Sequence, residues 1–327
     1  MSRPLRILVA APASEPGHGG AEWAVMQYVL GLRRLGHDAR LANWVEGPYD
    51  MVLNTSGILP QESIASIPLR VYLDLDPGFN QLWHHDGIDR HFDGHTHFVT
   101  LGKAIGHGSC PVPTLGLPWI GTLPPVVLEQ WPAANGVETD AFTTVANFRG
   151  YGSISKDGVL YGQKVHSLRT VIGLPRRVHE RFVVAMQVHP DEKKDLQALD
   201  ANGWELIDPC LVAATPDAYR RFVQGSLAEI GIAKGGYVVS RCGWFSDRSA
   251  CYLASGRPVV AQDTGFSEFL PTGEGLLAFC DEDHAAAAID CLRGEYARHS
   301  RAAREIAEEY LDSDRVLGGL LTHVGAQ

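Results

Sequence analysis

The sequence predicts an α/β protein built from two Rossmann-like domains that face each other across a cleft. At 327 residues the chain exceeds the roughly 250–300 residues at which a single core stops growing. In both halves, short continuous apolar runs suited to buried parallel strands alternate with helical patterns. A proline-punctuated stretch ending in the polar joint "PAANGVETD" (132–140) separates the two series. The expected division is a first domain over 1–135, a second over 141–305, and a C-terminal helix in 306–327 placed to pack back on the first domain.

The first series opens with "RILVAA" (6–11), a buried parallel strand, followed by the glycine-rich loop "PASEPGHGG" (12–20). A helix from Ala21 puts Val25, Met26, Val29 and Leu32 on one face and stops at Gly36, and "DARLAN" and "DMVLNTS" follow as strands. "RVYLDLD" (70–76) ends a further strand on two aspartates, Asp74 and Asp76. The second series begins with "AFTTVANF" (141–148), then a loop "RGYGSISKDG" and a helix from about Tyr161. "RFVVAMQV", "WELID" and "GGYVVS" are the next expected strands, separated by helices in "PDEKKDLQALDANG" and "PDAYRRFVQGS". Ser246 or Asp247 caps a helix that Gly256 ends, and "PVVAQ" is a buried strand closed by the loop "DTGF".

Composition narrows the function. A 45% apolar fraction with 9% aromatics is that of a globular protein. A net charge of −10 argues against a constitutive polyanion binder, though it leaves a nucleic acid open as an acceptor. The N-terminal apolar run is too short to span a bilayer and lacks a signal-peptide pattern, so the expectation is a cytoplasmic protein with no spanning segment. Six cysteines with no C-x-x-C pair imply reduced thiols. His84, His85, His91, His95 and His97 crowd one region, but their spacing matches no zinc signature, and no metal or cofactor is expected.

Ligands of open α/β sheets sit beyond the carboxyl ends of the strands, which makes the loops there the candidate site. The helix start at Ser246, Asp247, Arg248 and Ser249, beside the Thr264–Gly265 loop, offers N–H groups and a guanidinium to a phosphate. The alternative for Arg248 is a structural ion pair. The loop carrying Gly19 and Gly20 offers a second helix start, or simply a tight turn. Neither a G-x-G-x-x-G nor a P-loop pattern is present. If a proton must leave an acceptor hydroxyl, Asp76 is the candidate base, with Asp74 and His84 behind it; Asp76 could equally cap the turn "DPGF".

"FSDRSACYLASGRPVVAQDTGFSEFLPTGEGLLAF" resembles the donor-binding segment of GT-B glycosyltransferases of the family 1 and 4 kind, through Ala254, Gly256, Pro258, Val259, Val260, Thr264, Gly265 and Glu268. Gly19 and Gly20 resemble the acceptor-domain loop of the same family. The resemblance implies a nucleotide-diphosphate sugar such as a UDP-sugar as co-substrate, bound by the second domain, and transfer of the sugar to an acceptor held by the first. It implies phosphate-binding cations at Arg149 and Lys156, with a solvated loop lysine as the alternative for Lys156, and a ribose or sugar contact at Glu268, with a helix cap or a surface charge as the alternative there. The two glutamates that many retaining members carry are replaced here by Gly243 and Cys251, so stereochemistry is not inherited. A sugar-nucleotide epimerase and an inactive nucleotide-sugar binder remain the alternatives.

Overall fold

A computed structural model describes residues 3–12 and 18–326, so most of the predicted glycine loop, 13–17, lies outside the described residues. The first sheet comprises β1 (Arg6–Ala10), β2 (Asp38–Ala42), β3 (Met51–Thr55), β4 (Leu69–Asp74), β5 (His97–Thr100) and β6 (Trp119–Gly121). The second comprises β7 (Thr139–Asn147), β10 (Phe182–Gln187), β11 (Trp204–Ile207), β12 (Ser226–Gly231), β13 (Val259–Gln262) and β14 (Leu276–Phe279), while β8 (Ile154–Lys156) and β9 (Val159–Tyr161) form a separate hairpin. Strand order is β2-β1-β3-β4-β5-β6 in one sheet and β11-β10-β7-β12-β13-β14 in the other, and every pairing in both is parallel. Each order reverses direction once, between β1 and β3 and between β7 and β12, and those are the points where a crevice opens beyond the strand ends.

Buried parallel strands need helices on both faces, and the sequence supplies them. Helix Gly19–Arg34 covers the first sheet with Tyr28, Val29 and Leu32, and helix Ser313–His323 returns to the same core with Leu317, Leu320 and Leu321. Gly31 permits that docking, because a Cβ there would lie 2.5 Å from Leu317 Cδ1. The return and the linker run side by side: Val126 N donates to Leu311 O and Ser313 N to Val126 O. Among the described residues no helix is long and apolar enough to cross a membrane.

The domains share two apolar clusters. Trp23 of the first helix packs on Trp131 with ring centroids 5.0 Å apart, and its Nε1 donates to Pro216 O. Tyr72, Phe79 and Phe92 of the first domain join Ile154, Tyr161 and Tyr237 of the second.

Two expected elements differ. "GGYVVS" is a helix, Gly235–Ser240, and the strand of that unit is β12, whose charged Glu229 interrupts the apolar run and hides the strand from pattern reading. The expected loop 149–158 contains the β8–β9 hairpin, turned by Asp157 (φ 51°) and Gly158 (φ 78°). Positive φ at both central residues is a type I′ turn, which "KDGV" encodes as an Asp-Gly pair, so the following helix starts at Lys164 rather than Tyr161.

Candidate functional site

A cavity of about 510 Å³ opens between the carboxyl ends of the two sheets. Its first-domain wall is His18, Gly20 and Ala21 after β1, with Leu75 and Asp76 after β4. Its second-domain wall includes Val145 to Asn147 at the end of β7, Gln187 after β10, Asp208 after β11 and Lys234 after β12, together with Lys164, Tyr237 and Ser246, Asp247 and Arg248. Both topological reversal points therefore contribute to one crevice.

Three cations converge there. Lys164, at the start of helix Lys164–Arg169, is buried and donates to Ile232 O. Burial, then the neighbouring Arg248 and Lys234 charges, hold its ammonium well below the ordinary lysine value. Arg248 sits in the first turn of helix Asp247–Ala254 and reaches Glu229 Oε1 at 2.5 Å through Nε and Val145 O at 3.0 Å through Nη1. Its Nη2 has no hydrogen-bond partner among the described residues. Glu229 is 0% exposed, and its Oε2 is buried without a partner. Lys234 Nζ lies 3.1 and 3.0 Å from the two carboxylate oxygens of Asp76, across the cleft.

Asp76 also accepts from the hydroxyls of Tyr237 and Tyr151, while Lys234 Nζ contacts the Tyr151 oxygen and stands 4.2 Å from that ring's centroid. Burial, and after it the Asp76 charge, pushes both phenols above their ordinary value, which keeps them protonated donors.

The cavity takes only some of the expected residues. Ser246, Asp247 and Arg248 line it, and burial raises the Asp247 carboxyl above the usual carboxylate range. Ser249 lies one step deeper, against a small void that it shares with Thr264. Thr264 Oγ1 donates to Trp244 O, and Gly265 (φ 92°) turns the loop so that its N–H donates to Asp263 Oδ1. Gly20 is on the wall, whereas Gly19 is buried at the domain contact: its N–H donates to Ala213 O, and a Cβ would lie 2.4 Å from Thr215 O. The glycine at 19 is thus demanded by close approach of the second domain.

Five of the expected residues stand away from the cavity. Asp74 is fully buried, accepts from Asn80, Gln81 and Thr100 side chains and from the Asp76 N–H, and does not reach the cavity. His84 packs on Phe92 with centroids 4.7 Å apart, outside the cavity. Arg149 turns outward to Glu192 at 2.5 Å. Lys156 is carried off on the hairpin, 3.5 Å from Asp157 and 3.3 Å from His85 Nε2. Glu268, 61% exposed, pairs with Arg241. Pattern reading missed Lys164, Lys234, Tyr151, Tyr237 and Glu229; the Asp-Gly hairpin signal would have moved attention from Lys156 to Lys164.

The histidines do not converge: His84 and His91 each stand 3.9 Å from Asp89, and His95 contacts Asn54 Nδ2 at 3.0 Å. Among the described residues one group brings metal-ligating atoms together, Cys280, Asp281 and His284, exposed at the start of helix Glu282–Gly294 and outside the cavity.

Neither a family model nor a curated protein matches the sequence. Solved structures match over nearly the whole chain. AviGT4, a glycosyltransferase involved in avilamycin A biosynthesis, is 13% identical with a TM-score of 0.61, covering 98% of this chain and 97% of its own. An α-glucosyltransferase solved with UDP and a 13-mer DNA is 10% identical with a TM-score of 0.64, covering 98% and 99%. Anabaena HepE, solved with UDP and glucose, is 11% identical with a TM-score of 0.61, covering 99% and 100%. The fold is that of the GT-B glycosyltransferases.

Proposed function

We propose that the cavity binds a nucleotide-diphosphate sugar and that the protein transfers its glycosyl group to an acceptor hydroxyl without a metal. The observation that carries this reading is the burial of Lys164 beside Arg248 and Lys234. Mutual repulsion and desolvation make such an arrangement costly, and an anion placed among the three charges relieves both terms. With the start of helix Asp247–Ala254 they supply donors where charge develops on a leaving diphosphate.

The UDP found with structural neighbours supports a nucleotide donor. The second domain would hold the donor and the first the acceptor, with Asp76 as the base if the reaction inverts. Gly243 packs against Ala104, where a Cβ would lie 2.9 Å from the backbone nitrogen, so the site lacks room for a retaining-type glutamate there. A cytoplasmic setting, where nucleotide sugars are made, suits this chemistry.

Calorimetric titration with UDP, GDP, dTDP and ADP tests the reading, followed by incubation with the matching nucleotide sugars. At least one diphosphate should bind saturably, and Lys164→Met should weaken it roughly 10- to 100-fold, as loss of a charge-assisted contact does. Binding would also draw a proton onto Lys164 at pH values above its folded pKa, since phosphate favours the charged form. No saturable binding at millimolar concentration would overturn the proposal, and conversion of a nucleotide sugar without acceptor would redirect it to an epimerase.

A further inference from the structure

We propose that Lys234 is a phosphate-binding cation held in reserve by Asp76, so that arrival of the donor diphosphate draws Lys234 off the carboxylate and makes Asp76 available as the base. The inference rests on the nucleotide-sugar reading above and assigns a sequence of events to two residues on opposite walls of the cavity.

Asp76 follows β4 in the first domain and Lys234 follows β12 in the second, 158 positions later in the chain. At the cavity wall the Asp76 carboxylate is saturated: Lys234 Nζ bridges both oxygens, the Tyr237 hydroxyl donates to Oδ1 and the Tyr151 hydroxyl to Oδ2. A carboxylate whose electron pairs face three donors is poorly placed to take a proton from an alcohol. One of the three must leave before Asp76 can act.

Lys234 is the donor able to leave. The two phenols are fixed by packing: Tyr151 stacks edge-on against Phe79 and Trp83, and Tyr237 lies 4.4 Å from the Trp244 ring. Lysine is instead a point charge on a flexible stem. Its pair with Asp76 keeps some access to water, at 24% and 22% side-chain exposure, and the two phenols remain on the carboxylate when the lysine moves. A diphosphate carries more charge than one carboxylate and would lie among Lys164, Arg248 and Lys234. The rings of Tyr151, Phe79 and Tyr237, with centroids 4.2, 5.2 and 5.3 Å from Nζ, keep the ammonium over an aromatic surface. Asp76 itself stays in register, because its N–H donates to the buried Asp74 carboxylate at 3.1 Å.

The acceptor hydroxyl gives its proton to Asp76 and its oxygen bonds to the anomeric carbon. The bond from that carbon to the donor phosphate oxygen breaks, with its electron pair leaving on the nucleoside diphosphate beside Lys234, Lys164 and Arg248. Asp76 passes its proton to water when the products depart. Coupling the two events withholds the base until the donor is in place.

UDP titrations of the full chain separate this from a strut that merely ties the domains together. Removing the competing charge with Asp76→Asn should tighten UDP binding, by roughly 3- to 10-fold. Lys234→Met should weaken it by roughly 10-fold or more, Lys234→Arg should restore much of the loss, and the double variant should bind like Lys234→Met. In the structure of the UDP complex, Lys234 Nζ should contact phosphate and stand more than hydrogen-bond distance from Asp76, a measurement that does not depend on either variant folding. Unchanged or weaker UDP binding by a folded Asp76→Asn, or an intact Lys234–Asp76 pair in the UDP complex, would overturn the proposal while leaving the donor site standing. Failure of the unaltered protein to bind any of the four diphosphates would remove both readings together.

Discussion

Each central sheet region buries one acid near the carboxyl end of a strand, and the two acids are handled in opposite ways. Asp74, at the end of β4, is surrounded by neutral donors from Asn80, Gln81 and Thr100. Glu229, within β12, is held by the guanidinium of Arg248 and leaves one oxygen without a partner. A carboxylate closed by neutral donors fixes a loop and gives nothing to a ligand; here it sets the backbone of the DPGF turn and so the position of Asp76. A carboxylate balanced by a cation instead anchors that cation at the cavity edge. The structural ion pair and the phosphate ligand considered as alternatives for Arg248 are therefore compatible: Nε and Nη1 serve the first, and Nη2 is left for the second.

The largest effect is expected at Arg248. Replacing it with alanine leaves Glu229 buried and unpaired, and about 3–5 kcal/mol of stability should be lost in urea unfolding, so that weakened folding accompanies weakened nucleotide binding. Pairing it with Glu229→Gln should recover part of the loss. A cost under about 1 kcal/mol would mean that water reaches Glu229 and the contrast with Asp74 is unfounded.

A smaller effect is expected at Asp74. Asp74→Ala strands the three side-chain donors and should cost about 1–3 kcal/mol. Burial raises the folded Asp74 pKa above its ordinary 3.8, with the hydrogen bonds from Gln81, Asn80 and Thr100 opposing. A raised folded value means that its contribution is fully present below about 3.8 and is lost as pH rises through the folded pKa. Asp74→Asn should abolish that slope, and parallel pH–stability curves for the two proteins would contradict the assignment.

The smallest effects belong to the charges outside the cavity. Glu268→Ala and Lys156→Ala each break an exposed or half-exposed pair, should change stability by less than about 1 kcal/mol, and should leave UDP affinity within error. A tenfold loss of UDP affinity in either would return those residues to the site.

Much of the fold was legible because it depends on periodicity. The β1, β10 and β13 runs are largely continuous and apolar, as strands covered on both faces must be, and Gly256 (φ 68°) ends its helix where a left-handed residue is needed. β12 was obscured because Glu229 breaks its apolar run, and its compensation by Arg248 comes from a later helix. The helix start at Ser246 was legible from its residue type, although the Ser246 side chain makes no cap bond and the run read as a strand before it is helix Gly235–Ser240. Lys156 lies on a hairpin that the sequence reading took for a loop, and the helix after it begins at Lys164, while Arg149 pairs with Glu192, a partner 43 positions later in the chain.

The sequence by itself determined two parallel α/β units, the loops able to meet a ligand, and a helix start suited to an anion, since each follows from local pattern and backbone chemistry. Tertiary structure alone decided which charges face the cavity. Asp76 and Lys234 meet only because two sheets dock with their carboxyl ends opposed, and Gly19 is required only because the second domain presses against it. Side-chain electrostatics depend on distance and burial, and between residues far apart in the chain those are fixed by packing rather than by spacing.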